Sequence, residues 1–231
     1  MMQKSRAPVF YPLLPFYALL RKEVLRFLSV SAQTIITPVI SASLYLFVFG
    51  NLGRSFSPNS GISYLQFVVP GLVLMGVTNN SFQNTSSSLF FSRYLGNIVD
   101  FLVTPITPPQ FIAAYTLAAM LRGAAVGLVV LLISRFFTPL PWTHPWAAFA
   151  MISTASFLFA QLGLVAAIYS NSFDHLAMYS NFLILPLTYL GGLFYPISSL
   201  PGIWSKVSYL NPLYYLIDGF RTAVLGQGEM P

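Results

Sequence analysis

Long uncharged windows alternate with short basic or proline-rich breaks along this chain. No charged residue lies between Arg26 and Arg54, and none between Arg54 and Arg93. A helix needs ~20 apolar residues to cross the hydrocarbon core of a bilayer. On that measure the pattern predicts spans over about 33–50, 64–88, 111–136, 146–169 and 176–194. Pro38 near the start of the first span is tolerable, because neighbouring helices can satisfy the backbone groups it frees. The breaks fall at 51–61, at 93–110, around Pro139, Pro141, Trp142, His144 and Pro145, and at 170–175.

Ahead of the first span, residues 16–31 carry a helical period. Phe16, Tyr17, Leu20, Val24, Phe27 and Leu28 share one face at ~100° per residue, with Lys22 and Arg26 opposite. This predicts an interfacial helix lying along the bilayer surface, its cations toward head groups or a partner.

Two spans carry unexpected polarity. The second half of 64–88 reads Thr78-Asn79-Asn80-Ser81-Phe82-Gln83-Asn84-Thr85-Ser86-Ser87-Ser88. Side chains at that density do not face lipid. They serve either interhelical hydrogen bonds or the lining of a conduit, with Asn79, Asn80, Gln83 and Asn84 the leading candidates. Asn79-Asn80-Ser81 and Asn84-Thr85-Ser86 also fit the glycosylation triplet, an accidental match at membrane depth. Arg122 sits mid-span in 111–136, where insertion costs ~2.5–3.5 kcal/mol. It is expected to face protein or water, as a conduit residue, an ion-pair partner or a snorkelling contact. Asp100, Asp174 and Asp218 are the candidate counter-charges.

The stretch 186–221 stays aromatic while losing the ability to run as one helix. It breaks at Gly191-Gly192, Pro196, Pro201 and Pro212, yet holds Tyr189, Phe194, Tyr195, Trp204, Tyr209, Tyr214, Tyr215 and Phe220. Broken backbone at membrane depth is tolerated where protein or a wet cavity satisfies it, and Trp and Tyr gather at the interface. The stretch is expected to shape one mouth of the molecule.

Composition agrees with this pattern. Of 231 residues, 56% are hydrophobic and 7% charged, against roughly a quarter charged in soluble domains. That excludes a soluble globular protein and predicts an all-α, polytopic membrane protein with one transmembrane domain over 1–231. The net charge of +6 comes largely from Lys4, Arg6, Arg21, Lys22 and Arg26, which predicts a cytoplasmic N-terminus rather than a nucleic-acid partner. Residues 51–61 are then an outer loop. The first apolar run lacks a cleavage pattern and is expected to be retained.

Catalytic chemistry is poorly supported. There is no cysteine, so no disulfide or thiolate metal site, and His144 and His175 lie in different loops. No phosphate loop, nucleophile elbow or His-Glu-x-x-His sequence occurs, and the five acidic residues are scattered. No bound metal or cofactor is expected on this chain. Residues 94–103 can form a short helix, stopped by Thr104-Pro105, with Gly96 and Asp100 exposed. From composition alone it reads as a turn with an amphipathic flank.

Five groups of residues resemble the permease subunit of ABC-2 type exporters, in particular the short bacterial YadH-like and NodJ-like branch. They are Tyr17-Ala-Leu-Leu-Arg-Lys-Glu23, Arg93 with Asp100-Phe-Leu-Val-Thr-Pro105, Pro186-Leu-Thr-Tyr-Leu-Gly-Gly-Leu-Phe-Tyr-Pro196 with Leu200-Pro201, Asn211-Pro212-Leu-Tyr-Tyr, and Asp218-Gly-Phe-Arg221. The resemblance covers nearly the whole chain and is most specific in the last groups. It implies a homodimer in a bacterial cytoplasmic membrane, each chain bound to a separate cytoplasmic ATPase subunit that holds ATP and Mg. It implies that 94–104 is the coupling helix, with Tyr94, Gly96, Asp100, Thr104 and Pro105 at the ATPase and Asp174 in a second contact. It makes 195–221 an outer re-entrant region, built on Gly191, Gly192, Pro196, Pro201, Asn211 and Pro212. The implied cargo is amphipathic: lipid, glycolipid, polysaccharide or drug. The family pattern continues past Arg221 into a sixth span. No apolar run of crossing length follows that residue here, so a shortened form of a six-span ancestor is expected. The rival expectation is a membrane scaffold that binds partners without transport.

Overall fold

The computed structural model describes residues 13–52 and 62–229. The basic residues Lys4 and Arg6 and most of the loop 51–61 lie outside the described residues. Every described element is helical. In order they are α1 (Leu14–Ser29), α2 (Ser31–Leu52), α3 (Tyr64–Tyr94), α4 (Ile98–Leu102), α5 (Pro108–Ser134) and α6 (Pro145–Tyr169). There follow α7 (Phe173–Met178), a π-helical turn (Tyr179–Ile184), α8 (Leu185–Tyr189), a 3₁₀ turn (Ile197–Ser199), α9 (Ile203–Tyr209) and α10 (Pro212–Leu225). Among the described residues, α2, α5 and α6 are long and apolar enough to cross a membrane by length and composition. The polar half of α3 keeps that 31-residue helix out of this class despite its length of ~46 Å.

Local sequence sets the helix starts. Ser63 and Gln66 form a capping box at α3, and Thr107 and Gln110 another at α5, where Pro108 occupies a position whose N–H has no helical partner. Asn211 caps α10 by accepting from the Leu213 N–H at 3.0 Å, ahead of Pro212.

α3 is the centre of the bundle, packed mainly on α6 and α5. Small residues allow that approach. A Cβ on Gly163 would collide with the Thr85 hydroxyl and the Phe82 carbonyl, and one on Gly123 with the hydroxyls of Ser81 and Ser156. α10 lies on α6 and α3 with its apolar face buried through Leu213, Ile217, Phe220 and Val224.

Three elements differ from the sequence expectation. α1 turns Leu19 and Glu23 inward, half-buries Phe16, Leu20, Val24 and Phe27, and leaves Tyr17, Lys22 and Leu28 exposed, so the stripe that meets protein carries the Glu23 carboxylate between the two faces read from the period. The helix read over 94–103 is split: α3 runs through Tyr94, the chain turns at Gly96 (φ 77°), and only Ile98–Leu102 is helical again. The left-handed backbone at Gly96 breaks the helix there. The run read as one span over 176–194 is α7, the π turn and α8, ending at Tyr189, where Leu190 starts a turn through Gly192 (φ 73°).

Candidate functional site

The polar half of α3 divides by face. Thr78, Ser81, Thr85, Ser88 and Ser92 recur at helical spacing and are buried. Ser81 donates to the Ala119 carbonyl at 3.3 Å and Thr85 to the Ala160 carbonyl at 2.9 Å, which fastens α3 to α5 and α6. Asn79, Asn80, Gln83 and Ser87 occupy the other face and line a cavity of about 610 Å³ between α1, α2, α3 and α5. Asn79 and Asn80 fold their amides back onto the Met75 and Gly76 carbonyls, each at 3.0 Å. Those contacts leave their side-chain oxygens available to the cavity.

Asn84 sits where these faces meet α1. Arg26 donates through one guanidinium nitrogen to both the Asn84 carbonyl and its Oδ1, each at 2.9 Å. Arg26 Nε also donates to Glu23 Oε2 at 3.1 Å, and Ser88 Oγ donates to the same oxygen at 2.7 Å. Lys22 Nζ lies 3.3 Å from Glu23 Oε1. The fully buried Glu23 carboxylate thereby joins α1 to α3. Sequence reading passed over this residue; the signal was an acid placed four after Leu19 and three before Arg26, on the stripe that turned out to face protein.

Arg122 approaches the same asparagine from α5, with its NH1 3.5 Å from Asn84 Oδ1. Its buried Nε has no hydrogen-bond partner, and among the described residues no carboxylate lies within ion-pairing distance of it. Asp218 instead pairs with Arg221, while Asp100 and Asp174 are exposed. Arg122, Gln83 and Ser87 also line a second cavity of about 350 Å³, whose far wall carries Ser180 and Asn181 of the π turn. π turns recur at functional sites because they push side chains out of the regular helical order. The Ser180-Asn181 pair inside an apolar run was the readable sign of it.

One end of the bundle gathers three elements. Phe173, at the start of α7, packs its ring against Phe90, Phe91 and Tyr94, with centroids 4.8–5.1 Å away. Arg93 donates to the Ala167 and Ile168 carbonyls and closes the end of α6. Lys22 of α1 stands 4.7 Å over the Phe101 ring of α4. Tyr94, Gly96, Asp100, Thr104 and Pro105 are exposed here, next to the short turn that carries Asp174.

The opposite end is closed by the segment after α8. Arg221 is buried, donates to the Gly192 carbonyl at 2.9 Å and the Phe67 carbonyl at 3.3 Å, and stacks 3.8 Å above the Phe67 ring. Its charge meets Asp218 at 3.4 Å and Glu229 at 4.0 Å. Glu229 in turn accepts the Ile197 N–H at 2.9 Å. Asn211 reaches back to the Leu187 carbonyl at 2.6 Å, tying the start of α10 to α8. Gly191 and Gly192 are buried, Pro196 is half-buried, and Pro201 and Pro212 are exposed.

The ABC-2 type transporter family profile matches residues 15–225. The chain belongs to the ABC-2 type transporter family. Within this family it is 40% identical over 213 residues to the inner membrane transport permease YadH of Escherichia coli K12, covering 91% of this chain and 82% of that protein. It is 24% identical over 216 residues to nodulation protein J of Neorhizobium galegae, covering 93% of this chain and 82% of that one. Membership makes the all-α membrane architecture that of a transport permease.

Proposed function

We propose that this ABC-2 chain is the membrane permease subunit of an ATP-driven exporter. It moves an amphipathic cargo (lipid, glycolipid, polysaccharide or drug) out across a bacterial cytoplasmic membrane. It works as a homodimer, and each copy binds a separate cytoplasmic ATPase subunit that holds ATP and Mg. The observation that carries this reading is the meeting of α1, α4 and the first turn of α7 at one end of α3, the helix whose polar face lines the cavities.

In this reading that end faces the cytoplasm, the N-terminus lies on the same side, and α4 is the coupling helix. Closure of the ATPase subunits on ATP displaces α4. Phe101 of α4, packed on Phe111 and under Lys22, passes the displacement to α5 and α1, while the Phe173 ring, wedged against Phe90 and Tyr94, ties the α7–α8 run to α3. α3 moves with α5 and α6 as one rigid body, because its hydroxyl contacts to them are buried. Rotation of its Asn79, Asn80 and Gln83 face re-aims the cavity lining. The segment 195–221, locked through Arg221, forms the outer re-entrant region. The ATPase shifts the permease only by the difference in its affinity for the two states, so α4 must present a different surface in each.

The test is co-purification with the ATPase subunit, followed by cargo-stimulated ATP hydrolysis and transport in liposomes. Asp100→Arg, or deletion of 94–104, is expected to abolish coupled transport while leaving membrane insertion intact. Unchanged transport in either variant removes α4 from the coupling role. An ATPase that binds without any transport favours a scaffold instead, and no ATPase binding defeats the exporter reading.

A further inference from the structure

We propose that Arg122, together with Arg26 and Asn84, forms a seat for a phosphate group, the anionic head of the amphiphile that this permease carries. The use of the seat in transport rests on the permease reading; binding itself does not.

The argument begins with a count of charges. Around Asn84 the chain places Lys22, Arg26 and Arg122 against one carboxylate, Glu23. Glu23 is already engaged by Lys22, Arg26 and Ser88. Arg122 sits in the middle of α5 with a single 3.5 Å contact to an amide oxygen. The buried polar atoms left without a hydrogen bond here include two donors, Arg122 Nε and Asn84 Nδ2, against one acceptor, Glu23 Oε1, which Lys22 Nζ already faces at 3.3 Å. Surplus cations with surplus donors call for an acceptor-rich anion. A guanidinium offers a planar fork of donors suited to phosphate.

Space and lining define the rest of the ligand. Arg122 stands where the two cavities share a wall, so a head group there is reachable from both. Away from Arg122 the larger cavity runs along Pro38, Ala42, Leu72 and Val130, which is apolar and suits an acyl chain. Its volume of about 610 Å³ lies within the ~300–1,000 Å³ typical of small-ligand sites. A polar head at one end and a greasy wall at the other describe an amphiphile carrying a phosphate.

The test measures lipid retention on the chain alone, without any ATPase subunit. The purified chain is held in phosphatidylcholine nanodiscs doped with phosphatidylglycerol, then transferred to detergent, and retained lipid is counted by native mass spectrometry. Both lipids carry a phosphodiester, but in phosphatidylcholine the attached ammonium neutralises it and would be set against the Arg26 and Arg122 cations. Wild type is therefore expected to retain phosphatidylglycerol over phosphatidylcholine by roughly tenfold, and Arg122→Gln to lose that preference. Arg122→Lys keeps the charge without the fork and is expected to stay within about threefold of wild type. Arg135→Gln, at the other end of α5, is expected to match wild type. Displacement by added inorganic phosphate assigns the seat to a free anion, and resistance to it assigns the seat to a lipid head group; each supports the phosphate seat. Equal retention of both lipids by wild type, or an Arg122→Gln chain that retains phosphatidylglycerol as wild type does, overturns it. A monodisperse gel-filtration peak for each variant separates loss of binding from loss of fold. Selective retention without ATPase association defeats the permease reading and leaves the seat standing; ATPase association without selective retention does the reverse.

Discussion

Two arginines sit inside this bundle, and their surroundings are opposite. Arg221 has two carboxylates, two backbone carbonyls and an aromatic face. Arg122 has one amide oxygen at 3.5 Å. Both carry a charge that a low-dielectric interior penalises. Around Arg221 the chain supplies the whole compensation and obtains a rigid closed end. Around Arg122 it supplies almost none, at a place where two cavities meet. A buried charge that is fully partnered locks structure. One that is left under-partnered beside open space is available to something that arrives from outside the chain.

Substitutions can break this contrast. The largest expected effect is at Arg221→Met. Removing the guanidinium takes the shared cation from the Asp218 and Glu229 carboxylates, and the loss of stability should be ~3–5 kcal/mol. It is read as a marked drop in the thermal midpoint of the detergent-solubilised chain, with α10 loosened from α3. Glu23→Gln comes next. It leaves Arg26 and Lys22 without their carboxylate and weakens the join between α1 and α3 by ~1–3 kcal/mol, read by the same melt and by proteolysis between α1 and α2. The smallest effect is at Arg122→Met, which strands no carboxylate and removes an unfavourable buried charge. Its melt should lie within ~0.5 kcal/mol of wild type or above it. A loss at Arg122→Met as large as at Arg221→Met would make both arginines structural and end the contrast.

Much of this was legible in the sequence, and for physical reasons. Uncharged windows of crossing length read as helices because a bilayer admits little else. The density of Asn, Gln, Ser and Thr over 78–88 marked a face that lipid cannot cover. What stayed hidden depended on contacts across sequence distance. Lys22 and Arg26 read as facing head groups or a partner, and the burial of Glu23 between them went unread, because a helical wheel gives faces but not which face meets protein. The lock at Arg221 needs Glu229 folded back against Ile197, a closure no periodicity reports. The π turn at Tyr179–Ile184 has no sequence signature beyond a polar pair in an apolar run. Gly96 was visible as exposed, but its left-handed backbone, which splits the expected 94–103 helix, was not.

The buried Glu23 also has a consequence for how the protein is made. Its partner Ser88 lies 65 residues further along the chain, and Asn84 lies 58 residues beyond Arg26. At ~5–20 residues per second, ribosomes take several seconds to supply those partners. During that interval α1 carries a carboxylate and two cations with no site to enter, so its docking waits for the far half of α3 to be made.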